Sequence, residues 1–462
     1  MSQRIQTSLL IFVLIAIYFI GLNDRGMFPD GYLYSTLGKH AVTMDRWLIP
    51  YFSKAIYVEF FDHTPFVFIL EGLFFKIFGI SNGSARLFIL FFLIGTIFSV
   101  FNFLKKEKNI NFAIIWLVLF LSIPPLLKKA RFPNIDIPLM LWTSLALIES
   151  YRAIVLNKVN RWWSCGFFFG LALLSKGPLA GQIVLSIAVF LIWEKKFYLL
   201  KSWRPWAGLL LGFFIFALWP LSLYFSDRFD IFQRWFEFTI LASVVQGRGE
   251  STSVFTYLAF LIKNASVWSV LALIGVFFIL KKKVIADSIW KFGMSWLLTL
   301  LIPLSFASLK YSNYLIPGYP ALALVACYPF LLMKKEKWEK APKVLLMIFA
   351  PLLIILFFVL GKYKKLRDIP LYTALDYARE HQLPRKNWVL YNQCYDNIAA
   401  QGLMAFEESA DVFRVENVKR LDRSALVIMR KSDLANLEDV KELVSLESND
   451  LILACSGHAC PN

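Results

Sequence analysis

Long apolar segments recur along the first 361 residues, and they constrain the fold more than any other feature of the sequence. A helix needs about 20 mainly apolar residues to cross the hydrocarbon core of a bilayer. The pattern predicts a mainly α-helical, polytopic membrane protein with about eleven transmembrane helices. The candidate segments are residues 7–22, 86–104, 110–127, 137–156, 163–175, 178–193, 206–224, 266–280, 290–307, 314–333 and 343–361.

The basic residues are distributed as in an integral membrane protein rather than a nucleic-acid-binding protein. The formal net charge is +17, but many lysines and arginines sit in short clusters between the apolar segments. Cytoplasmic loops of membrane proteins carry such an excess of basic residues. Placing the clusters at 105–108, 194–196, 281–283 and 334–340 in the cytoplasm puts the N-terminus inside and the C-terminal tail outside. We expect surrounding membrane lipids and no nucleic-acid partner.

Two long loops lie on the external face in this topology, residues 23–85 and about 225–265. Segment 66–80 within the first loop is apolar but short, and it carries Glu71 and Lys76. A segment of this length is too short to span a bilayer. We therefore expect it to form a helix that lies at, or dips into, the membrane interface.

The tail differs in composition from the rest of the chain, so we divide the protein into a transmembrane domain, 1–362, and a C-terminal domain, 363–462. Strand-like segments NWVLY, DVFRV, ALVIM and LILACS alternate in the tail with helical patterns such as LEDVKELVSL. This alternation predicts a small α/β domain. In an oxidising compartment Cys455 and Cys460 would pair and leave Cys394 free, although pairing of Cys394 with either one stays open.

Charged and aromatic side chains collect on the predicted external face, where the spans end. A charge at mid-bilayer costs ~2.5–3.5 kcal/mol, so several on one face suggest a hydrated cavity at the membrane boundary. Lysine and arginine side chains there can hold a phosphate, and a carboxylate can take a proton from a hydroxyl group. Together they suit group transfer from a phosphate-linked lipid. The candidates are Asp30, Tyr34, Asp62, His63, Arg131, Asp136, Lys176, Glu237, Arg248, Lys310 and Tyr314.

A plainer interpretation exists for each of these residues taken alone. Asp30 suits a solvated or helix-capping aspartate, and Asp136, which precedes Ile-Pro, suits a helix cap. Lys176 suits a lysine whose ammonium reaches out to the membrane interface. What distinguishes the functional interpretation is the order of the motifs along the chain.

The ordered motifs resemble those of a known group of enzymes. The series runs from about residue 8 to 333 and consists of Asp30 after the first span, then DRWLIPYF, DHTPFVFILEGLFFKIFG, SARL, ARFPNIDIPLMLW, LALLSKGP and SLKYSNYLIPGYPALAL. This order resembles the membrane glycosyltransferases that use polyprenyl-phosphate sugars, which include the protein O-mannosyltransferases and the bacterial lipid A aminoarabinose transferase. The resemblance implies a GT-C fold in a bacterial inner membrane, with the active site and the C-terminal domain in the periplasm.

The resemblance also implies roles for the candidate residues. Asp30 stands in the place of the presumed catalytic base, and Asp136 matches a second acid before the fourth span. Lys176 matches the lysine expected near the donor phosphate, and His63 takes the basic position of the family's acid-basic-Pro-Pro stretch. Because the sequence departs from the family pattern, we expect Arg248 or Arg131 to supply the rest of the phosphate site. The residues expected to contact substrate are Tyr34, Asp62, Glu237, Lys310 and Tyr314.

The sequence departs from the family pattern at several positions. Gly31 follows Asp30 where the family has an acidic pair, Leu33 replaces an arginine, and Thr64 replaces a proline. The external loop 225–265 contains no histidine, whereas some members bind a metal through one there. We therefore assign no metal ligand and no certain cofactor, and a divalent metal stays open.

The predicted function is transfer of a sugar from undecaprenyl (polyprenyl) phosphate to a periplasmic acceptor, with inversion at the anomeric carbon. Lipid A or another envelope glycolipid is the first choice of acceptor, and a protein hydroxyl group is the second. A different class stays open as an alternative: a transporter or flippase that binds lipid-linked sugars without chemistry.

Overall fold

The structure, a computed structural model, describes residues 3–241, 253–281, 286–307, 310–365, 368–446 and 450–461. The chain divides into two compact units. The first contains residues 1–22, 61–67 and 86–357, and the second contains residues 23–60, 68–85 and 358–462. The boundary predicted at residue 362 stays a prediction.

Helices dominate the described residues. In chain order they are α1 (Gln3–Ala16), α2 (Pro29–Thr43), α3 (Phe66–Phe78), α4 (Asn82–Glu107), α5 (Ile110–Leu121), α6 (Pro124–Lys129), α7 (Asp136–Ile154), α8 (Arg161–Lys176), α9 (Gln182–Trp193), α10 (Trp203–Phe225), α11 (Phe229–Phe236), α12 (Thr256–Asn264), α13 (Ser266–Leu280), α14 (Ser288–Phe306), α15 (Tyr319–Ala326), α16 (Lys335–Lys365), α17 (Ile369–Glu380) and α18 (Asn397–Glu408). This composition confirms the mainly α-helical membrane class.

Every apolar segment singled out in the sequence coincides with helical residues. Among the described residues, five helices are long and apolar enough to cross a membrane, or six if α12 and α13, bent by 111°, form one span. The five are Asn82–Glu107, Arg161–Trp193, Trp203–Phe225, Ser288–Phe306 and Ser312–Leu332. The number of eleven transmembrane helices stays a prediction.

Two glycine pairs bring α8 and α10 into close contact in the first unit. Gly166 and Gly170 lie one turn apart on α8, as do Gly208 and Gly212 on α10. A Cβ atom on Gly170 would lie 2.9 Å from the Gly212 carbonyl oxygen, and one on Gly166 would overlap the Gly208 carbonyl. Small residues at this spacing let membrane helices pack backbone to backbone. This packing fixes α8, the helix that ends at Lys176.

The second unit contains a five-stranded sheet formed by the C-terminal residues. The strands are β1 (Asn387–Tyr391), β2 (Asp411–Val415), β3 (Ala425–Arg430), β4 (Val440–Ser445) and β5 (Leu451–Ser456), in the order β2-β1-β3-β5-β4. Strand β1 pairs in parallel with β2 and β3, and β5 pairs antiparallel with β3 and β4. The four strand-like segments of the sequence are thereby confirmed, and so is the small α/β domain.

The prediction of a helix at LEDVKELVSL is wrong. Residues 440–445 of this segment form the edge strand β4, which pairs with β5 from Val440–Ser456 to Ser445–Ile452. Apolar residues at helical spacing are compatible with either structure in so short a segment. The buried strand β5 offers an unpaired edge, and pairing with that edge overrides the local helical preference.

One of the open cysteine pairings occurs in the structure. Cys455 and Cys460 form a disulfide, with their Cα atoms 5.0 Å apart. Cys394 is outside any disulfide, and its thiol donates a hydrogen bond to the Ile428 carbonyl at 3.1 Å. The disulfide joins the end of β5 to the residues that follow it.

We predict that Gly166→Val lowers the free energy of unfolding of the detergent-solubilised protein by about 1–3 kcal/mol, because overpacking forces α8 and α10 apart. Thermal unfolding followed by tryptophan fluorescence measures the change. Gly181→Ala is the matched control, since an added Cβ atom there meets nothing within 4 Å. Equal stabilities of the two variants would contradict the glycine contact.

Candidate functional site in the helical unit

A buried ion pair joins the ends of two neighbouring helices in the first unit. Asp136 begins α7 and Lys176 ends α8, and the Lys176 ammonium contacts Oδ1 of Asp136. The side chains are only 4% and 11% exposed. The ammonium also lies 4.9 Å from the ring centroid of Tyr314, within the range of a cation–π interaction. Three residues proposed from the sequence are therefore in direct contact.

Asn134 caps the start of α7 and thereby leaves the Asp136 side chain available for the ion pair with Lys176. Oδ1 of Asn134 accepts hydrogen bonds from the backbone N–H groups of Asp136 and Ile137 at 3.1 and 3.0 Å. Its amide donates to the carbonyls of Lys129 and Phe132, both at 2.8 Å. Asn134 thus satisfies the first amides of α7, the role of a helix cap. Capping is therefore not the role of the Asp136 side chain, as the plainer interpretation had it.

The chain turns sharply directly after Lys176. Gly177 has φ = +52°, and a Cβ atom there would lie 2.9 Å from the Trp235 ring. Positive φ and close approach both favour glycine. Pro178 follows and cannot continue the helix, since its nitrogen carries no hydrogen. Lys176 consequently ends α8, where the helix dipole favours a cation.

Arg86 supports the turn that leads to Asp136. This arginine on α4 is 2% exposed. It donates from Nε to the Arg131 carbonyl at 3.0 Å, and its guanidinium also contacts the Leu22 carbonyl. Arg131 itself is buried. Sequence reasoning missed the role of Arg86, although the motif SARL at the start of a span was its signal.

The segment before α3 borders the same pair. The Thr64 hydroxyl donates to the Leu174 carbonyl near the end of α8, so this threonine anchors the segment. Burial lowers the pKa of the His63 imidazole well below its ordinary value, and the positive charge of Lys176 lowers it further. His63 is therefore neutral near pH 7, and it can offer a phosphate one hydrogen bond but no charge.

The other candidates of the first unit differ in burial. Asp62 is half-buried, and so is Lys310. Glu237 is exposed and begins a short π-helical segment, Glu237–Leu241. Arg248 lies outside the described residues. The structure thus brings Asp136, Lys176 and Tyr314 together, with His63 within electrostatic reach of the lysine.

Asp30 and Tyr34 lie in the second unit, on helix α2. Pro29 occupies the first position of the helix and Asp30 follows within the first turn. Proline favours this position, and the helix dipole favours a carboxylate there. The Tyr34 ring stacks on Phe68, with centroids 5.5 Å apart and planes inclined by 27°. Asp30 and Tyr34 are half-buried.

No metal centre is evident in the part of the chain that the structure describes. In those residues, no three His, Cys, Asp or Glu side chains lie close enough to hold a metal ion.

Known proteins match part of this sequence and share its fold. Residues 62–222 match the dolichyl-phosphate-mannose-protein mannosyltransferase family. The solved structure of ArnT from Cupriavidus metallidurans bound to undecaprenyl phosphate superposes with a TM-score of 0.78, covers 100% of both chains and is 16% identical. The apo ArnT structure gives 0.77 at 15% identity, covering 98% of this chain and 99% of the other. The chain has the GT-C fold of these ArnT structures.

Curated relatives match part of this chain. The undecaprenyl phosphate-α-4-amino-4-deoxy-L-arabinose arabinosyl transferase of Shewanella sediminis is 22% identical over 322 residues, which is 68% of this chain and 58% of the relative. The enzyme of the same name from Pseudomonas savastanoi is 23% identical over 235 residues, 47% of this chain and 41% of the relative. This GT-C protein thus spans less than two thirds of the length of the curated relatives it matches first.

We predict that Lys176→Met and Asp136→Asn each lower the free energy of unfolding by about 3–5 kcal/mol, because each leaves a buried charge or polar partner uncompensated. The double variant Asp136→Asn with Lys176→Met should recover part of that loss, since no uncompensated charge remains. Thermal unfolding of the four proteins in detergent measures the coupling.

The exposed pair Arg420–Glu438, with side chains 75% and 56% exposed, provides the control. Arg420→Met should change the free energy of unfolding by less than about 1 kcal/mol. Additive effects at Asp136 and Lys176, with no recovery in the double variant, would contradict a direct buried pair.

Proposed function

We propose that the protein is a glycosyltransferase that moves a sugar from undecaprenyl (or another polyprenyl) phosphate to a periplasmic acceptor, with inversion. The observation that carries this proposal is the buried Asp136–Lys176 pair beside Tyr314. It lies in a fold shared with an ArnT structure bound to undecaprenyl phosphate. The active site and the C-terminal domain face the periplasm of a bacterial inner membrane in this proposal.

Lys176 holds the donor phosphate. Its ammonium is largely withdrawn from water, so it interacts with a phosphate oxygen more strongly than an exposed lysine would. As the bond between the sugar and the phosphate breaks, negative charge builds up on the leaving phosphate. A fixed cation at that position stabilises the developing charge. Arg131 and Arg248 are further donors to this phosphate.

Asp136 pairs with Lys176 and orients its ammonium before the donor binds. A lysine as little exposed as this one pays a desolvation cost unless an anion is at hand. Exchange of the Asp136 carboxylate for the lipid phosphate preserves a charged partner for the ammonium throughout. The Tyr314 ring, whose centroid lies 4.9 Å from the ammonium, adds a cation–π interaction. His63, uncharged, donates one hydrogen bond to the phosphate.

Asp30 acts as the base towards the acceptor, and Tyr34 contacts the acceptor beside it. The acceptor oxygen attacks the anomeric carbon from the face opposite the phosphate, and the bond from carbon to phosphate oxygen breaks as the new bond forms. The acceptor proton passes to the Asp30 carboxylate. The lipid phosphate leaves as an anion and requires no protein acid. One carboxylate therefore suffices, in contrast to the paired carboxylates of glycoside hydrolysis.

Lipid A or another envelope glycolipid is the acceptor we propose. The arabinosyl transferases among the relatives support this choice over a protein acceptor. The match to the protein mannosyltransferase family makes a serine or threonine hydroxyl group of a periplasmic protein the second candidate. Asp62, Glu237 and Lys310 are the proposed contacts to the acceptor or the sugar.

A transporter fits the observations less well. At the ends of the helices opposite Asp136 and Lys176, Glu149 on α7 pairs with Arg152 at 2.5 Å and with Arg161 at 3.3 Å. Glu194, after α9, pairs with Lys291 at 3.0 Å. These ion pairs join α7 to α8 and α9 to α14, whereas a transporter requires passage past these ends. The arrangement therefore supports chemistry at one face.

We predict that mass spectra of lipid A and total envelope glycolipids lose one sugar-sized mass in a deletion strain. The mass should stay absent after complementation with Asp30→Asn and return with wild type. Asp45→Asn, an exposed aspartate of the same loop, is the matched control and should restore the mass. Full restoration by Asp30→Asn would refute the base assignment and favour transport. A loss confined to periplasmic glycoproteins would identify a protein acceptor instead.

We predict that Lys176→Met weakens the binding of undecaprenyl phosphate to the purified protein at least ~10-fold, since a charge-assisted hydrogen bond is lost. Quenching of tryptophan fluorescence during titration with undecaprenyl phosphate measures the affinity. Lys158→Met, at an exposed turn between α7 and α8, should bind as wild type does. Equal affinities of the two variants would refute the phosphate role of Lys176.

A further inference from the structure

Helix α2, which carries Asp30 in its first turn, is anchored at its C-terminal end by helix α18 of the same unit. The Lys39 ammonium donates hydrogen bonds to the carbonyl oxygens of Ala405 and Phe406, at 3.0 and 2.7 Å. These carbonyls belong to the last turn of α18, which ends at Glu408. The last carbonyls of a helix lack partners within the helix and carry its negative dipole end. Lys39 therefore provides a charged cap for α18.

The burial of Lys39 indicates that its contact with the end of α18 belongs to the protein interior and is not an exposed surface contact. The residue is only 7% exposed, and a lysine is rarely buried unless it is paired. Its ammonium lies 6.0 Å from the centroid of the Phe406 ring. Burial lowers the pKa of Lys39 to about 8, although the carboxylates of Glu407 and Glu408 act in the opposite direction.

A second anchor, on helix α17, flanks Asp30. The Gly26 N–H group donates to the Tyr372 hydroxyl at 2.8 Å, and the Tyr32 hydroxyl contacts the same oxygen. Arg25 forms an ion pair with Asp376, one turn further along α17. The Tyr372 hydroxyl thus joins a backbone group four residues before Asp30 to a side chain two residues after it.

The long faces of α2 are also in contact with other elements. A Cβ atom on Gly402 of α18 would lie 2.6 Å from the Cβ atom of Tyr32, so the two helices approach as closely as a glycine permits. From α3, the Glu71 carboxylate accepts a hydrogen bond from the Ser35 hydroxyl at 2.9 Å. The rotation and the axial position of α2 are therefore both fixed by side chains that the sequence places far apart.

We propose that helices α17 and α18 hold Asp30 in its working position, with Lys39 and Tyr372 as the positioning residues. This inference rests on the proposed function, because it assumes that Asp30 is the base. Catalytic groups lose efficiency steeply when they are displaced by as little as ~1 Å. A helix anchored at both ends by polar contacts of buried side chains keeps such a displacement small. The C-terminal part of the chain thereby acquires a role in the reaction without touching substrate.

The test compares hydrogen exchange and turnover in the full-length purified protein. The variants are Lys39→Met, which keeps the length of the side chain without its charge, Lys39→Arg, which restores a charged donor, and Tyr372→Phe. We expect amides of residues 31–37 to exchange at least ~10-fold faster in Lys39→Met and Tyr372→Phe, because opening of α2 is no longer opposed by these anchors. We expect kcat to fall by about 10- to 100-fold with KM for the lipid-linked donor unchanged.

Two controls separate positioning from general destabilisation. Lys54→Met alters an exposed lysine of the same unit and should match wild type in both readouts. Lys39→Arg should recover most of the turnover lost in Lys39→Met. The protection of amides in strands β1 to β5 against hydrogen exchange should be unchanged in Tyr372→Phe. Faster exchange throughout that sheet would show that the residues have only a structural role, and it would overturn the proposal.

The outcomes also distinguish this proposal from the proposed function. An active wild-type protein whose Lys39→Met and Tyr372→Phe variants keep normal kcat refutes the positioning role alone. Unchanged exchange of residues 31–37 refutes it as well. A wild-type protein that transfers no sugar from envelope lipid extracts to any acceptor refutes the proposed function, and the catalytic meaning of the anchors is refuted with it.

Discussion

The buried ion pair between Asp136 and Lys176 is the interaction on which the rest of the account depends. Two charges withdrawn from water are stable only when each compensates the other. The surrounding structure meets that condition: Asn134 caps α7, Gly177 ends α8 at the lysine, and Arg86 supports the preceding turn. In the proposed function, this pair at the ends of α7 and α8 is the place where a lipid phosphate replaces the carboxylate.

Much of the fold can be predicted from the sequence, because hydrophobic periodicity and length carry the signal. Every apolar segment proved helical, and NWVLY, DVFRV, ALVIM and LILACS proved to be strands. The error at LEDVKELVSL has a physical reason. Val440–Ser445 is stabilised by pairing with β5, which lies next to it only after the sheet forms. A local pattern cannot reveal such a pairing when its spacing suits a helix equally well.

The site could be predicted in part. Asp136, Lys176 and Tyr314, which the structure brings together, were singled out because an acid, a lysine before Gly-Pro and a tyrosine in a late turn follow one another in a recognisable order. Asn134, Arg86 and Lys39 were missed. Their roles consist of hydrogen bonds to backbone carbonyls or amides, and any residue can supply a carbonyl. In the case of Lys39 the accepting carbonyls lie 366 and 367 positions away.

The most direct test of the central claim is a cryo-electron microscopy structure of the purified protein with undecaprenyl phosphate bound. We expect the Lys176 ammonium to leave the Asp136 carboxylate and to lie about 2.7–2.9 Å from a phosphate oxygen, with Tyr314 still beside it. A phosphate bound elsewhere, with the Asp136–Lys176 pair intact, would contradict the claim that this pair is where the donor is held.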